Sequence, residues 1–256
     1  MNPRLKLGVG GALGRMGRAV VAAAQSLDME LTARFDRPEG GVDDGLVTSE
    51  TALATCEVIV DFSSPAASVA LARAAAMRGG VALVIGATGF SAEEDAAMAK
   101  AARSIAIVKS GNFSIGVNIL AGLVEQAAAR LGPELWDIEI FEAHHRRKID
   151  APSGTAKLLA EAAARGRGEA LADLSLPLRD EVTGPREPGG IGFSFMRGGG
   201  IVGEHSVVFA AEEEIITLSH SARDRALFAR GALAAAAWVK GKAPGLYGMG
   251  DVLGFD

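Results

Sequence analysis

The residues best suited to chemistry crowd into one stretch, 142–156. It reads Glu142-Ala143-His144-His145-Arg146-Arg147-Lys148-Ile149-Asp150-Ala151-Pro152-Ser153-Gly154-Thr155-Ala156. His144 and His145 offer protons near neutral pH, because an unperturbed imidazole titrates around ~6.5. Arg146, Arg147 and Lys148 concentrate positive charge beside them. Pro152-Ser153-Gly154-Thr155 has the composition of a turn into a helix start, where unpaired backbone N–H groups and two hydroxyls can hold a carboxylate or phosphate. Singly, a His pair or a basic run suits a solvated face equally well. In this order they describe an acid–base site for a small anion. Neighbouring imidazoles with no Cys or carboxylate cluster to complete a ligand set argue against a metal centre.

A site of this kind needs elements to hold it and a second reactant to act on. Strand 136–142, alternating in hydropathy, delivers the stretch at its end, and a helix over 155–165 follows. At the other end of the chain, a strand over 5–9 runs into Gly10-Gly11-Ala12-Leu13-Gly14-Arg15-Met16-Gly17 and then a helix over 18–27. Strand, glycine turn and helix form the context of a dinucleotide site: missing side chains let a pyrophosphate approach the backbone, and the helix start adds positive partial charge. The spacing is Gly11-x-x-Gly14-x-x-Gly17 rather than the commoner G-x-G-x-x-G, and a tight ligand-free turn would use the same glycines. Arg15 stands inside the turn. A second strand, 30–35, ends at Asp36-Arg37, where a carboxylate can accept hydrogen bonds from an adenosine ribose. Asp36 favours NADH, Arg37 suits the 2′-phosphate of NADPH, and the pair also suits plain turn chemistry before Pro38. The preference stays open.

Further strands over 58–62, 81–85 and 105–108 alternate with helices over 66–78 and 92–103, with a loop over 39–49. Alternation with continuously apolar strands predicts a doubly wound, Rossmann-like α/β domain with a parallel sheet. Its strand ends carry Asp36, Phe62-Ser63, Gly86-Ala87-Thr88 and Gly111-Asn112-Phe113, polar or glycine-rich turns facing one crevice. After an apolar helix over 115–131 the pattern changes. Strands over 178–183, 191–197, 203–209 and 214–220 lack long helices between them, which predicts a mostly antiparallel sheet in an inserted α+β domain. An Ala-rich helix over 224–239 and a short tail over 246–253 then return to the first domain. The expected domains are therefore 1–114 with 225–256, for dinucleotide binding, and 115–224, for substrate binding and oligomerisation. His205 and His220, within strand patterns, read as structural.

The bulk numbers exclude several function classes. A net charge of −5 disfavours general nucleic-acid binding, which needs a basic surface. One cysteine, Cys56, suits a packed core position in a reducing compartment. No apolar run approaches the ~20 residues of a membrane span and the N-terminus carries no signal-peptide pattern, so a cytoplasmic protein without membrane partners is expected.

The stretch 142–156 closely resembles the signature of the dihydrodipicolinate reductase family, now named 4-hydroxy-tetrahydrodipicolinate reductases, of diaminopimelate and lysine synthesis. Gly14-Arg15-Met16-Gly17, Asp61-Phe62, residues 86–90, residues 112–118 and Ile201-Val202-Gly203-Glu204-His205 look like further family landmarks, in the family's order. The resemblance implies NADH or NADPH as cofactor, contacted by Gly11, Arg15, Met16, Asp36, Gly86, Thr88, Asn112 and Phe113. It implies His144 as proton donor assisted by Lys148. His145, Lys148, Ser153, Gly154 and Thr155 would hold the substrate's carboxylates, with Arg225 reaching in from the domain hinge. It also implies a homotetramer built through the substrate-domain sheet. The chain departs from the family pattern at Ala87, where many relatives carry Thr, and in a short Asp36-to-Cys56 connection.

The implied reaction is hydride delivery to C4 of a cyclic dicarboxylate bearing a C=N bond, with loss of its 4-hydroxyl as water. The basic neighbours of His144 are expected to depress its pKa, easing donation. Another NAD(P)-dependent amino- or imino-acid dehydrogenase, aspartate dehydrogenase-like, would use the same Ser-Gly-Thr turn. A non-catalytic dinucleotide sensor would need no proton donor.

Overall fold

The computed structural model describes residues 4–27, 29–37, 45–179, 182 and 184–255. They fall into two compact units, divided at Ile115/Gly116 and at Arg225/Ala226. The expected loop over 39–49 and the turn at Pro38 lie mostly outside the described residues.

In the first unit, β1 (Leu5–Gly10), β2 (Met29–Phe35), β3 (Val58–Asp61), β4 (Ala82–Ile85), β5 (Ala106–Lys109) and β10 (Gly245–Tyr247) form one sheet in the order β10-β5-β4-β3-β1-β2. All its pairings are parallel. Side chains alternate across a strand, so both faces need cover. Val58, Val60, Val84 and Val108 face one core, with α1 (Arg15–Ser26) and α8 (Ala226–Val239). Ile59, Leu83, Ile85 and Ile107 face the other, with α3 (Pro65–Arg78) and α4 (Ala92–Ala101). Each such fully buried side chain contributes about 1.5–3 kcal/mol of transfer free energy.

Local signals start the helices. Ser64 caps α3 through the Ala67 N–H, with Pro65 in the first turn, and Ser91 with Glu94 forms a capping box on α4. Gly231 lets α8 lie close to the Phe113 backbone: a Cβ there would come within 1.6 Å of the Phe113 carbonyl oxygen. Three elements go beyond expectation. A helix α2 (Ser49–Thr55), capped by Thr48, follows the expected loop, and the tail supplies β10 and α9 (Met249–Leu253). A three-residue strand carries too little periodicity to be read from sequence.

The second unit contains α5 (Ile115–Ala128, from Gly116 onward), β6 (Asp137–His144), α6 (Gly154–Gly166), α7 (Leu171–Leu174), β7 (Ile191–Arg197), β8 (Gly203–Ala210) and β9 (Ile215–Ala222). Its sheet runs β7-β6-β8-β9; β6 pairs β7 in parallel, and the other two pairings are antiparallel. Ile138, Ile140, Ile191, Val207 and Phe209 bury against Leu120, Val124, Leu159 and Ala163 of α5 and α6. The opposite face leaves Phe141, Met196 and Ile215 exposed. The strand expected over 178–183 is absent at Leu178, Arg179 and Val182, and 180, 181 and 183 lie outside the described residues. Instead Ser175 makes an isolated bridge to Ile191.

Candidate active site

Strand β6 runs two residues beyond its expected end, and this decides the site. Glu142 and His144 keep the even-numbered register of Ile138 and Ile140, so their side chains fall on the covered face. Glu142 is 1% exposed and His144 9%. Pairing sets His144 opposite Arg197 on β7 and Glu142 opposite His205 on β8. Four polar side chains thus meet at one end of the covered face.

Glu142 is their hub. Its Oε2 accepts from His144 Nδ1 at 2.5 Å and Arg197 Nη1 at 2.8 Å; its Oε1 accepts from Arg197 Nη2 at 2.7 Å and the Ser153 N–H at 3.1 Å. Burial pushes its carboxyl pKa up, but the Arg197 and His144 hydrogen bonds outweigh that and hold it below the usual carboxylate range. With Nδ1 engaged, His144 exchanges protons through Nε2. A Cβ at Gly203 would sit 3.1 Å from that nitrogen, so bare backbone keeps its approach open. The His144 pKa is lowered, as expected, though burial rather than the basic neighbours is the main cause. Glu142 opposes the shift, while Lys148 and Arg197 add to it.

Ser153 differs from its expected role. Its hydroxyl caps α6 by accepting the Ala156 N–H at 3.1 Å, and it bonds His205 Nε2 at 3.0 Å. At 2% exposure it is an internal support of the turn, beneath exposed Gly154 and half-buried Thr155 at the helix start. Lys148 reaches both Asp150 oxygens at 2.8 Å, and half-buried His145 turns Nε2 to Arg225 Nη2 at 3.3 Å. Lys148, His145 and Arg225 therefore belong to the same unit as His144.

His205, read from sequence as structural, belongs to this cluster: its ring lies edge-on to His144 with centroids 5.1 Å apart. Burial, then the neighbouring His144, pushes its pKa down to about 4, so it is neutral near neutral pH. The premise that no carboxylate joins the histidines is also corrected. Ligand-type atoms of Glu142, His144 and His205 lie within 4.8 Å of one another. Both Glu142 oxygens are nevertheless held by the Arg197 guanidinium, which supplies the counter-charge a cation would. Sequence reasoning missed Glu142, Arg197 and His205 as one group. The available signal was parity: 138, 140, 142 and 144 share one strand face.

The first unit gathers the dinucleotide candidates at the carboxyl ends of its strands. Gly11 has φ +66°, and a Cβ there would come 2.9 Å from the Phe62 carbonyl at the end of β3. A Cβ at Gly17 would come 2.1 Å from Gly11 O, so α1 starts tight against the turn. Gly14, the N-cap of α1, offers no side-chain cap, and no acidic residue occupies the first turn. Those features leave backbone N–H groups and positive partial charge for an anion, as a pyrophosphate requires. Asp36 is tied to this turn: Oδ2 accepts the Leu13 N–H at 2.7 Å and Oδ1 the Arg37 N–H at 2.8 Å. Arg15, Arg37 and Thr88 are exposed, and Met16 packs partly against the core. A Cβ at Gly86 would strike the Phe62 ring at 2.1 Å, and Asn112 Oδ1 accepts the Ser114 N–H at 2.8 Å. Phe113 does not line a surface. The residue is 2% exposed and its ring packs edge-on against Phe62 at 5.8 Å, so the structure places it in the core rather than against a cofactor. Asp61, buried between Ser63 and Ser68, braces the turn after β3.

A doubly wound parallel sheet with a bare glycine turn, joined to a unit carrying an imidazole–ammonium cluster, defines a two-domain dinucleotide-dependent oxidoreductase. Family models described as dihydrodipicolinate reductase, N-terminus and C-terminus, match residues 5–113 and 116–253. The chain therefore belongs to the dihydrodipicolinate reductase family. It is 62% identical to the 4-hydroxy-tetrahydrodipicolinate reductase of Caulobacter vibrioides, over 100% of this chain and 99% of the relative. It is 52% identical to that of Brucella abortus, over 96% and 97%. Among solved structures, the dipicolinate-bound dihydrodipicolinate reductase of Paenisporosarcina sp. TG-14 superposes with TM-score 0.81 at 25% identity, over 98% of this chain and 100% of that one.

Proposed function

We propose that this chain reduces 4-hydroxy-tetrahydrodipicolinate to tetrahydrodipicolinate with NADH or NADPH and loss of water, in diaminopimelate and lysine biosynthesis. The observation that carries the reading is the convergence of His144, Lys148 and the Ser153-Gly154-Thr155 turn in a chain of this family. The reduced nicotinamide supplies the hydride to C4 of the conjugated imine. Gly11, Gly14, Gly17 and the start of α1 hold its pyrophosphate by backbone. Asp36 is set for a ribose hydroxyl, Arg15 and Arg37 add charge, and Gly86, Thr88 and Asn112 complete the binding surface.

In the second unit, Lys148, His145, Arg225 and the N–H groups that open α6 hold the two carboxylates by charge-assisted hydrogen bonds. Hydride addition pushes electrons toward the ring nitrogen. His144 then gives its Nε2 proton to quench that negative charge, and Lys148 stabilises it meanwhile. The chain works as a cytoplasmic homotetramer. Exposed Phe141, Met196 and Ile215 on the open sheet face support such an assembly, and a monomer in sedimentation equilibrium would refute it. No helix of the described residues is long and apolar enough to cross a membrane.

The test is NADH oxidation when aspartate semialdehyde, pyruvate and the preceding synthase are supplied together. Oxidation should require all three. Oxidation driven by a 2-oxo acid and ammonia would favour the aspartate dehydrogenase-like reading, and binding without turnover the sensor.

A further inference from the structure

We propose that Glu142 is a positioning residue that fixes the ring and the protonation of His144, with Arg197 as its counterweight. The inference rests on the reading of His144 as proton donor. A carboxylate on Nδ1 requires a hydrogen there in both protonation states, so the proton that comes and goes is the one on Nε2. The same carboxylate holds the Ser153 N–H, so one group sets both the donor and the start of the anion-holding helix.

Two opposed influences act on the imidazole through this group. The Glu142 charge favours the imidazolium. Arg197, bidentate on both Glu142 oxygens, spends part of that charge on itself and repels a second cation. The other groups around the ring are Lys148 and Asp150 from the turn, and neutral His205 on β8 with His220 beyond it on β9. Glu142 bonds the ring directly, through Nδ1. If Glu142 served the fold alone, its pairing with Arg197 and the Ser153 N–H would suffice, and replacing it by its neutral isostere would leave the proton affinity of His144 unchanged.

The experiment compares Glu142→Gln and Arg197→Met in the full-length protein by two readouts: NMR titration of the His144 ring without substrate, and the pH profile of kcat. Activity needs the imidazolium, so the limb that falls with rising pH follows its ionisation. Glu142→Gln removes the negative charge and should lower the proton affinity of His144 by on the order of tenfold or more, moving the limb to lower pH. Arg197→Met frees the carboxylate for the imidazolium and should move titration and limb to higher pH. Opposite movements of the ring titration support the inference. No movement, or movement in the same direction, overturns it. Should Glu142→Gln fail to fold, Glu142→Asp, which keeps the charge but shortens the reach to Nδ1, decides: the ring titration should move to lower pH, and an unmoved titration overturns the inference. If the ring titrations move apart while the kcat limb stays fixed, the coupling stands and His144 is not the proton donor.

Discussion

The two units prepare for a ligand by opposite means. The first binds by omission: Gly11, Gly14 and Gly17 clear side chains from a turn so that backbone N–H groups and a helix start face an anion. The second works by addition: Glu142, His144, Arg197, Ser153 and His205 are linked by hydrogen bonds against one sheet face. Omission tolerates few substitutions because a Cβ at Gly11 or Gly17 would press on the Phe62 carbonyl or on Gly11 O and distort the turn. Addition tolerates few because removing one partner leaves a buried polar group without its bond.

This contrast can be broken by losses that are selective for one unit. The largest expected effect is His144→Ala, which should lower kcat by ~10²–10⁴-fold, the range for a lost general acid, with NADH affinity unchanged in calorimetry. A parallel loss of NADH affinity would erase the division of labour. His205→Asn should act on stability. Wild-type His205 titrates at about 4 in the fold against 6.5 as its ordinary value. As pH falls through that window the unfolded chain takes up a proton the folded chain refuses, so the fold should lose about 3 kcal/mol by its lower end. The variant should show a correspondingly flatter dependence of urea stability on pH; an unchanged slope would place the acid sensitivity elsewhere.

Lys148→Ala should cost about 1.5–3 kcal/mol in kcat/KM, the range for a charged hydrogen bond, shared between kcat and KM. A change confined to kcat would remove Lys148 from carboxylate binding. Gly17→Ala sharpens the other side. Its Cβ would press on Gly11 O, an overpacking cost of about 1–3 kcal/mol, so NADH binding should weaken while binding of a pyridine dicarboxylate persists.

The same contrast explains what could be read from sequence. Glycines at 11, 14 and 17 announce themselves because the features that need them are local: the Gly14 N–H bonds Gly11 O within one turn. The parallel fold was legible too, since Val58-Ile59-Val60 and Leu83-Val84-Ile85 are apolar on both faces. His144, Lys148 and the Ser153 turn stood out by crowding. Arg197 and His205 did not, because each is separated from its partner, Glu142 or Ser153, by more than fifty positions and meets it only through strand pairing. Ser153 looked like a ligand contact because a helix cap and an anion-holding hydroxyl share one sequence signature. Phe113 looked like one because sequence places a residue at a strand end without saying which way its ring turns.

The most direct measurement is a crystal structure of the chain with NADH and pyridine-2,6-dicarboxylate bound together. The account predicts the nicotinamide C4 at ~3–3.5 Å from the ring carbon that mimics the reacting one, with Lys148 and the Gly154–Thr155 N–H groups on the carboxylates and His144 Nε2 facing the ring. An imidazole–ammonium cluster turned away from the dicarboxylate, more than ~10 Å from the hydride-bearing carbon, would contradict it.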